Sequence, residues 1–359
     1  MSDPSGPRVP VAAAALLDAG RLPTRFASEH ELDDFLARPS AALIRDLAGV
    51  DGDLLILGVA GKMGPTLATL ARNAAPGKRI VGVARFSDAA VRARLDGAGV
   101  ETIACDLLDR DAIAALPDVA NVVFAAGHKF GASGNPSLTW AMNTHVPALV
   151  AERFRASRIV AFSTGNVYGL AGVGQPGAAE SRPPAPVGEY AQSCLGRERM
   201  FEYFSARHGT PGRIVRLNYA IDMRYGVLVD LAAKIRDGVA VDVTMGHVNV
   251  IWQGDANAQV LRCLAHCTTP TTPLNVTGPE TVSVRWLAGE LASRLGLPLK
   301  LTGHEAETAL LSDTTAAGRL FGYPAVPLGR LLDWVADWVA SGGASLNKPT
   351  RFEVRDGEF

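Results

Sequence analysis

Residues 54–64 read Leu54-Leu-Ile-Leu-Gly58-Val-Ala-Gly61-Lys-Met-Gly64. An apolar run of strand type enters a loop with three closely spaced glycines, and Pro65-Thr-Leu-Ala-Thr-Leu-Ala-Arg follows with helical spacing. A strand that ends in glycines and opens a helix presents bare backbone N–H groups at a helix N-terminus. Orphan amides and the helix dipole both favour negative charge there, so the arrangement suits a pyrophosphate. The first glycine permits the tight turn, the second lets the phosphates approach, and the third lets helix and strand pack closely. No Gly-Lys-Ser/Thr follows the first glycine at the distance a P-loop needs.

Outward from that loop, strand and helix signals alternate. Strands are expected at 53–58, 79–84, 100–104, 121–125, 158–163 and 212–217, and helices at 64–74, 87–97, 110–116, 137–155 and 189–208. Runs such as Arg79-Ile-Val-Gly-Val-Ala84 and Asn121-Val-Val-Phe-Ala-Ala126 are apolar nearly throughout, as strands covered on both faces must be. The expected fold class is therefore α/β, a Rossmann-type doubly wound parallel sheet, with a smaller C-terminal substrate-binding lobe. Residues 1–50 form a helical extension in which Glu29–Leu36 and Ser40–Leu47 read as two short helices. Residues 51–220 form the nucleotide-binding domain. Residues 221–345 are mainly the substrate lobe, with some segments returning to the first domain, and 346–359 form a polar tail. Within 221–345, short strand signals fall at 240–243 and 273–276, and helices at 226–237, 255–266, 283–295 and 328–341.

The chain has 359 residues, 48% of them hydrophobic, and a net charge of -1, which gives ample core and no basic excess for nucleic acid. No apolar run reaches membrane-spanning length. Residues 11–17 are apolar, but Asp3 precedes them and no cleavage site follows, so the expected location is cytoplasmic. Cysteines 105, 194, 263 and 267 are too scattered for a disulfide framework. Cys263, His266 and Cys267 lack a further cluster, and no metal is expected.

An acid at the end of the second strand would bind a ribose 2′-hydroxyl. Arg85 stands there instead, and a guanidinium suits a 2′-phosphate, which favours NADP over NAD. Asp106-Leu107, after the third strand, would face the adenine edge or cap a helix.

Several further motifs follow in order: Ala125-Ala-Gly127, Asn143, Ser163-Thr-Gly-Asn-Val-Tyr-Gly169, Gly188-Glu-Tyr190 and Arg216-Leu-Asn218. Together with the glycine loop they resemble the extended short-chain dehydrogenases, the NAD(P)-dependent epimerase/dehydratase proteins that act mostly on sugars. The resemblance covers about residues 53–340. It implies hydride transfer assisted by a Ser/Thr, a Tyr and a Lys four residues after the Tyr. The hydroxyl matches Thr164 and the tyrosine Tyr190. It also implies cofactor contacts from Gly58, Gly61, Lys62, Met63 and Gly64, from Arg85, Asp106 and Leu107, and from Ala125, Ala126, Gly127 and Tyr190. Relatives are often dimers through helices that correspond here to about 137–155 and 189–208.

One departure is sharp. Tyr190-Ala-Gln-Ser-Cys194 carries cysteine where the family has lysine. A free phenol titrates near pH 10, so the tyrosine needs a nearby cation to act as a base. Three readings stand. Another cation replaces the lysine, with Lys129 after the fourth strand the best candidate for both the catalytic and the cofactor-ribose role, and Arg197 two turns along the helix a more distant one. Alternatively, the protein keeps the cofactor as a binding or sensing protein without hydride transfer. In the third reading Cys194 takes part as a thiol, although a small buried helix residue is the simpler role for it.

On the substrate side, His128, Asn166, Asn218, Tyr219, Asn249 and Trp252 fall in segments that line the pocket in relatives, as does Arg224. No clear basic residue stands near His247 or Asn249, which suits a neutral or singly charged sugar better than a sugar nucleotide. The expectation is an NAD(P)-dependent oxidoreductase or epimerase acting on a sugar or sugar-derived alcohol or ketone.

Overall fold

The computed structural model describes residues 15–129, 134–348 and 350–357. Part of the apolar run at 11–17, and residues 349, 358 and 359 of the tail, lie outside them. The strand after the first 50 residues, β1 (Leu54–Leu57), is buried at every position. It is followed by β2 (Ile80–Ala84), β3 (Glu101–Ala104), β4 (Asn121–Phe124) and β5 (Arg158–Thr164). All pair in parallel in the order β3-β2-β1-β4-β5, and the sheet continues through strands Gly212–Leu217 and Thr272–Val276. The order reverses between β1 and β4. A crevice opens at that point beyond the carboxyl ends of the strands, where ligands bind in doubly wound sheets.

The seventh strand is one of the segments after 220 that return to the first domain. The signal at 273–276 is that of Thr272–Val276, which pairs with Arg213–Leu217 at the edge of the main sheet. Helix Gln253–Arg262 also returns, burying Ala256, Val260 and Leu261 in the core that holds Leu54, Ile56 and Leu67. The remaining segments after 220 build a second core around Leu228, Leu231, Val284, Leu287, Leu332 and Val335.

The two N-terminal helices, α1 (Glu29–Leu36) and α2 (Ala41–Ala48), are capped by Ser28 and Ser40, whose hydroxyls accept from Glu31 N and Leu43 N. They serve different cores. Leu43 and Leu47 of α2 join the sheet core, whereas Leu32, Phe35 and Leu36 of α1 join the lobe core. Phe26 and Phe35 meet Trp252 and Trp334 there, with ring centres 4.9–6.4 Å apart. The buried Arg224, held by its neighbour Asp222 at 2.8 Å, fastens α1 through Asp33 at 2.7 Å and Glu29 at 3.3 Å.

The C-terminal segment had no assignable pattern. Leu346 N donates to Arg224 O, Thr350 donates to Asp230 through both its amide and hydroxyl, and Phe352 is buried. Leu346, Lys348 and Thr350 of this strap border the crevice. No helix among the described residues is long and apolar enough to cross a membrane.

Candidate active site

The glycine loop adopts the geometry its sequence demands. Gly58 has φ +86°, and a Cβ there would lie 2.5 Å from Ala126 N, so only glycine lets β1 end against β4. A Cβ on Gly64 would lie 2.1 Å from Val59 O, so the helix Gly64–Ala74 starts directly against the loop. Pro65 occupies its first turn, and Met63, at the cap position, makes no side-chain cap bond. The helix thus leaves its N-terminal amides without a side-chain acceptor and aims them at the crevice, which fits a pyrophosphate.

A cavity of about 390 Å³ opens beyond this loop. Gly58, Gly61, Lys62, Met63 and Gly64 form one wall, and Ala125, Ala126, Gly127, His128 and Lys129 another. Thr164, Asn166, Tyr190, Asn218 and Tyr219 complete the deeper end. Lys62 donates to Ala220 O at 3.0 Å and stands 4.4 Å from the ring centre of Tyr225. Burial holds its ammonium down to about 8.

Tyr190 stands in the first turn of the long helix Gly188–His208. Its phenol shares hydrogen bonds with Thr164 and Cys194, and burial, reinforced by the Cys194 thiol, pushes it well above the usual phenol range. Thr164 ends β5, and its hydroxyl also accepts from Asn166 N at 3.2 Å, so it caps the short turn Gly165–Val167 as well as meeting the tyrosine. Lys129 Nζ lies 5.8 Å from the Tyr190 ring centre, and burial holds it down to about 8. Cys194 is 1% exposed, and burial pushes its thiol up. A thiol in that state is a packing and hydrogen-bonding group rather than a nucleophile.

Asn143 organises the floor. Its side chain accepts from His128 N at 2.8 Å and donates to His128 O at 2.9 Å and Ser193 Oγ at 3.0 Å. It occupies a π-helical turn, Ala141–His145, the kind of bulge that re-aims a side chain within a helix. Beneath lies an ion pair of Arg216 and Glu198 at 2.6 Å, both buried, extended by Ser163 to Glu198 and by Arg216 to the Tyr168 hydroxyl.

Six residues expected at the site lie apart from this cavity. Asn249 is buried as a clip, donating to Glu280 O at 2.8 Å and accepting from Ser312 N at 2.9 Å. Trp252 is 1% exposed inside the aromatic cluster, because its ring completes the lobe core. Asp106 turns its carboxylate onto Leu108 N at 3.0 Å, and Leu107 is buried in the sheet core. Arg85 is exposed just after β2. Arg224 is likewise occupied by its carboxylates. Sequence reasoning missed Tyr225 and the strap residues Leu346, Lys348 and Thr350, which also line the cavity and carry no motif. It set Arg197 aside, yet Arg197 lines the cavity. The helical spacing of Arg197 from Tyr190 was the available signal.

Against this geometry, the family model described as "NAD dependent epimerase/dehydratase family" matches residues 54–224. That part of the chain is similar to this family. The match spans the glycine loop, Thr164, Tyr190 and the strand Gly212–Leu217. Solved structures agree on the fold. A UDP-galactose 4-epimerase is 21% identical, with TM-score 0.65, covering 81% of this chain and 99% of its own. The dTDP-glucose 4,6-dehydratase of Streptomyces venezuelae, solved with NAD, is 20% identical with TM-score 0.69, covering 80% and 97%. The UDP-glucuronic acid 4-epimerase of Bacillus cereus, solved with UDP-glucuronic acid and NAD, is 17% identical with TM-score 0.67, covering 80% and 99%. No functionally curated protein sequence matches.

Proposed function

We propose that the chain is an NAD(P)-dependent oxidoreductase or epimerase acting by hydride transfer on a sugar or a sugar-derived alcohol or ketone. The observation that carries this reading is the convergence of Tyr190, Thr164 and Lys129 on the cavity opened by the glycine loop. The amides at the start of helix Gly64–Ala74 would hold the dinucleotide pyrophosphate, with Lys62 beside them. The bound nicotinamide supplies or accepts the hydride. Tyr190 exchanges a proton with the substrate oxygen, Thr164 hydrogen-bonds the same oxygen, and Lys129 contributes positive charge. His128, Asn166, Asn218 and Tyr219 face the space left for a substrate. The sugar nucleotide held by one of the similar structures supports a sugar as substrate class.

Arg85, exposed and unopposed by an acid at the end of β2, supports NADP as the preferred form. The four free cysteines support a cytoplasmic location. The exposed Trp140 and Tyr203, on the two helices through which relatives pair, support a homodimer.

A second reading has its own observation: the buried Cys194 removes the family lysine beside Tyr190, which favours a dinucleotide-binding protein without hydride transfer. Purified protein mixed with NADPH or NADH, and with the oxidised forms, across a panel of sugars and aldehydes separates the two. Nicotinamide absorbance changing with a sugar supports the first reading. Tight cofactor binding with no turnover across the panel supports the second.

A further inference from the structure

The helix that carries Tyr190 lacks a cation at position 194, but one turn further along the same face it carries Arg197. The Arg197 side chain is buried, with the residue 6% exposed. Nη1 donates to Phe162 O at 2.8 Å, and Nη2 donates to Asn143 Oδ1 at 2.7 Å. Space for the guanidinium exists because residue 127 is glycine: a Cβ there would lie 2.6 Å from Nη2. The charge therefore sits directly beneath the loop that forms one wall of the cavity.

Among the described residues no carboxylate lies within ion-pair distance of Arg197. The adjacent Glu198 is committed to Arg216 and Ser163. Carbonyl and amide oxygens orient a guanidinium without cancelling its charge, and a low-dielectric surround lets that charge act at a distance.

We propose that Arg197 is the positioning residue that tunes Tyr190, taking the electrostatic part of the absent lysine from one turn along the helix. The purpose of the tuning rests on the hydride-transfer reading, whereas the coupling between charge and phenol is independent of it. The groups facing Tyr190 come from three elements: Cys194 and Arg197 on its own helix, Thr164 at the end of β5, and Lys129 after β4. Burial and Cys194 push the phenol up, while Arg197 and the Thr164 hydrogen bond pull it down. Arg197 also pulls down the Cys194 thiol. Lys129 gives up its proton near pH 8, but a guanidinium keeps its charge. Arg197 is thus the cation still present when a phenol titrates.

The test is the ionisation midpoint of Tyr190 in the full chain. It is read as the tyrosinate absorbance after a rapid pH jump, with the Tyr190→Phe variant subtracted. Arg197→Met is expected to raise the midpoint by about one unit or more, while Arg197→Lys stays near the parent. The pair Cys194→Lys with Arg197→Met returns the midpoint toward the parent. Should Arg197→Met fail to fold, Arg197→Gln, which keeps amide donors without the charge, carries the same comparison. An unchanged midpoint on loss of the Arg197 charge overturns the proposal, as does a midpoint that moves only in Lys129→Met. A shifted midpoint in a protein that turns over no substrate defeats the hydride reading and leaves the coupling standing.

Discussion

Lys129 and Tyr190 meet in the crevice from segments that follow two neighbouring strands, the ammonium 5.8 Å from the ring centre. One follows β4 and the other opens a helix after β5, so only the folded sheet joins them. Burial holds the Lys129 ammonium down to about 8, so it is charged below that pH and neutral above it. Turnover that uses this charge falls as pH rises through about 8. Lys129→Met lowers the rate at pH 7 and removes that descending limb, as measured by nicotinamide absorbance across a pH series.

The glycine loop makes a claim about space. Gly58→Ala and Gly64→Ala each drive a methyl into backbone, at Ala126 and Val59 respectively. Each is expected to weaken dinucleotide binding by at least about tenfold and to cost about 1–3 kcal/mol of stability. Gly61→Ala, whose Cβ would lie 3.3 Å from Gly58 O, is milder for stability. Titration of NADH fluorescence and urea unfolding measure the two effects separately.

The Glu198–Arg216 pair is fully enclosed, and each partner is the other's counter-charge. Glu198→Gln strands a buried guanidinium and is expected to cost about 3–5 kcal/mol in chemical denaturation. Replacing both residues with apolar ones of similar volume recovers most of that loss. Equal losses in the single and double variants would refute this account of the pair.

Phe35 joins a helix near the start of the chain to two tryptophans of the lobe. Phe35→Ala leaves a cavity against Trp252 and Trp334, with an expected cost of about 3–5 kcal/mol. Tryptophan fluorescence follows both the unfolding transition and the changed surroundings of the two indoles.

Strands such as Leu54–Leu57 and Asn121–Phe124 were legible because a strand buried on both faces has few residue types open to it, whereas Glu101–Ala104, half-exposed at the sheet edge, was legible only from its place in the alternation of strands and helices. The seventh was visible as a strand but not as a member of this sheet. Pairing across the gap from Gly212–Leu217 to Thr272–Val276 is decided by packing that no local pattern records. The resemblance pointed to Thr164 and Tyr190 and the place after the fourth strand to Lys129, and the fold brings all three to one cavity. Trp252 and Asn249 were misplaced because a residue's type does not tell which side of a short segment faces the core. Arg197 was set aside on distance along the helix. The missing side chain at Gly127, in a different element, is what lets its guanidinium reach the floor of the cavity. The strap is held by single contacts such as Thr350 to Asp230, and single contacts leave no periodicity.

The aromatic cluster has a consequence for the order of events during synthesis. Phe26 and Phe35 leave the ribosome long before Trp252 and Trp334 exist, with the whole of the sheet's first six strands made between them. A chain extended at about 5–20 residues per second must hold those rings exposed, or borrowed by another partner, until the lobe's later helices arrive. The first six strands can pair as they are made, although the seventh, Thr272–Val276, and helix Gln253–Arg262 join the sheet only later. The lobe can close only afterwards, so a stalled or truncated product would present the apolar face of α1 to its surroundings and be a natural client for chaperones.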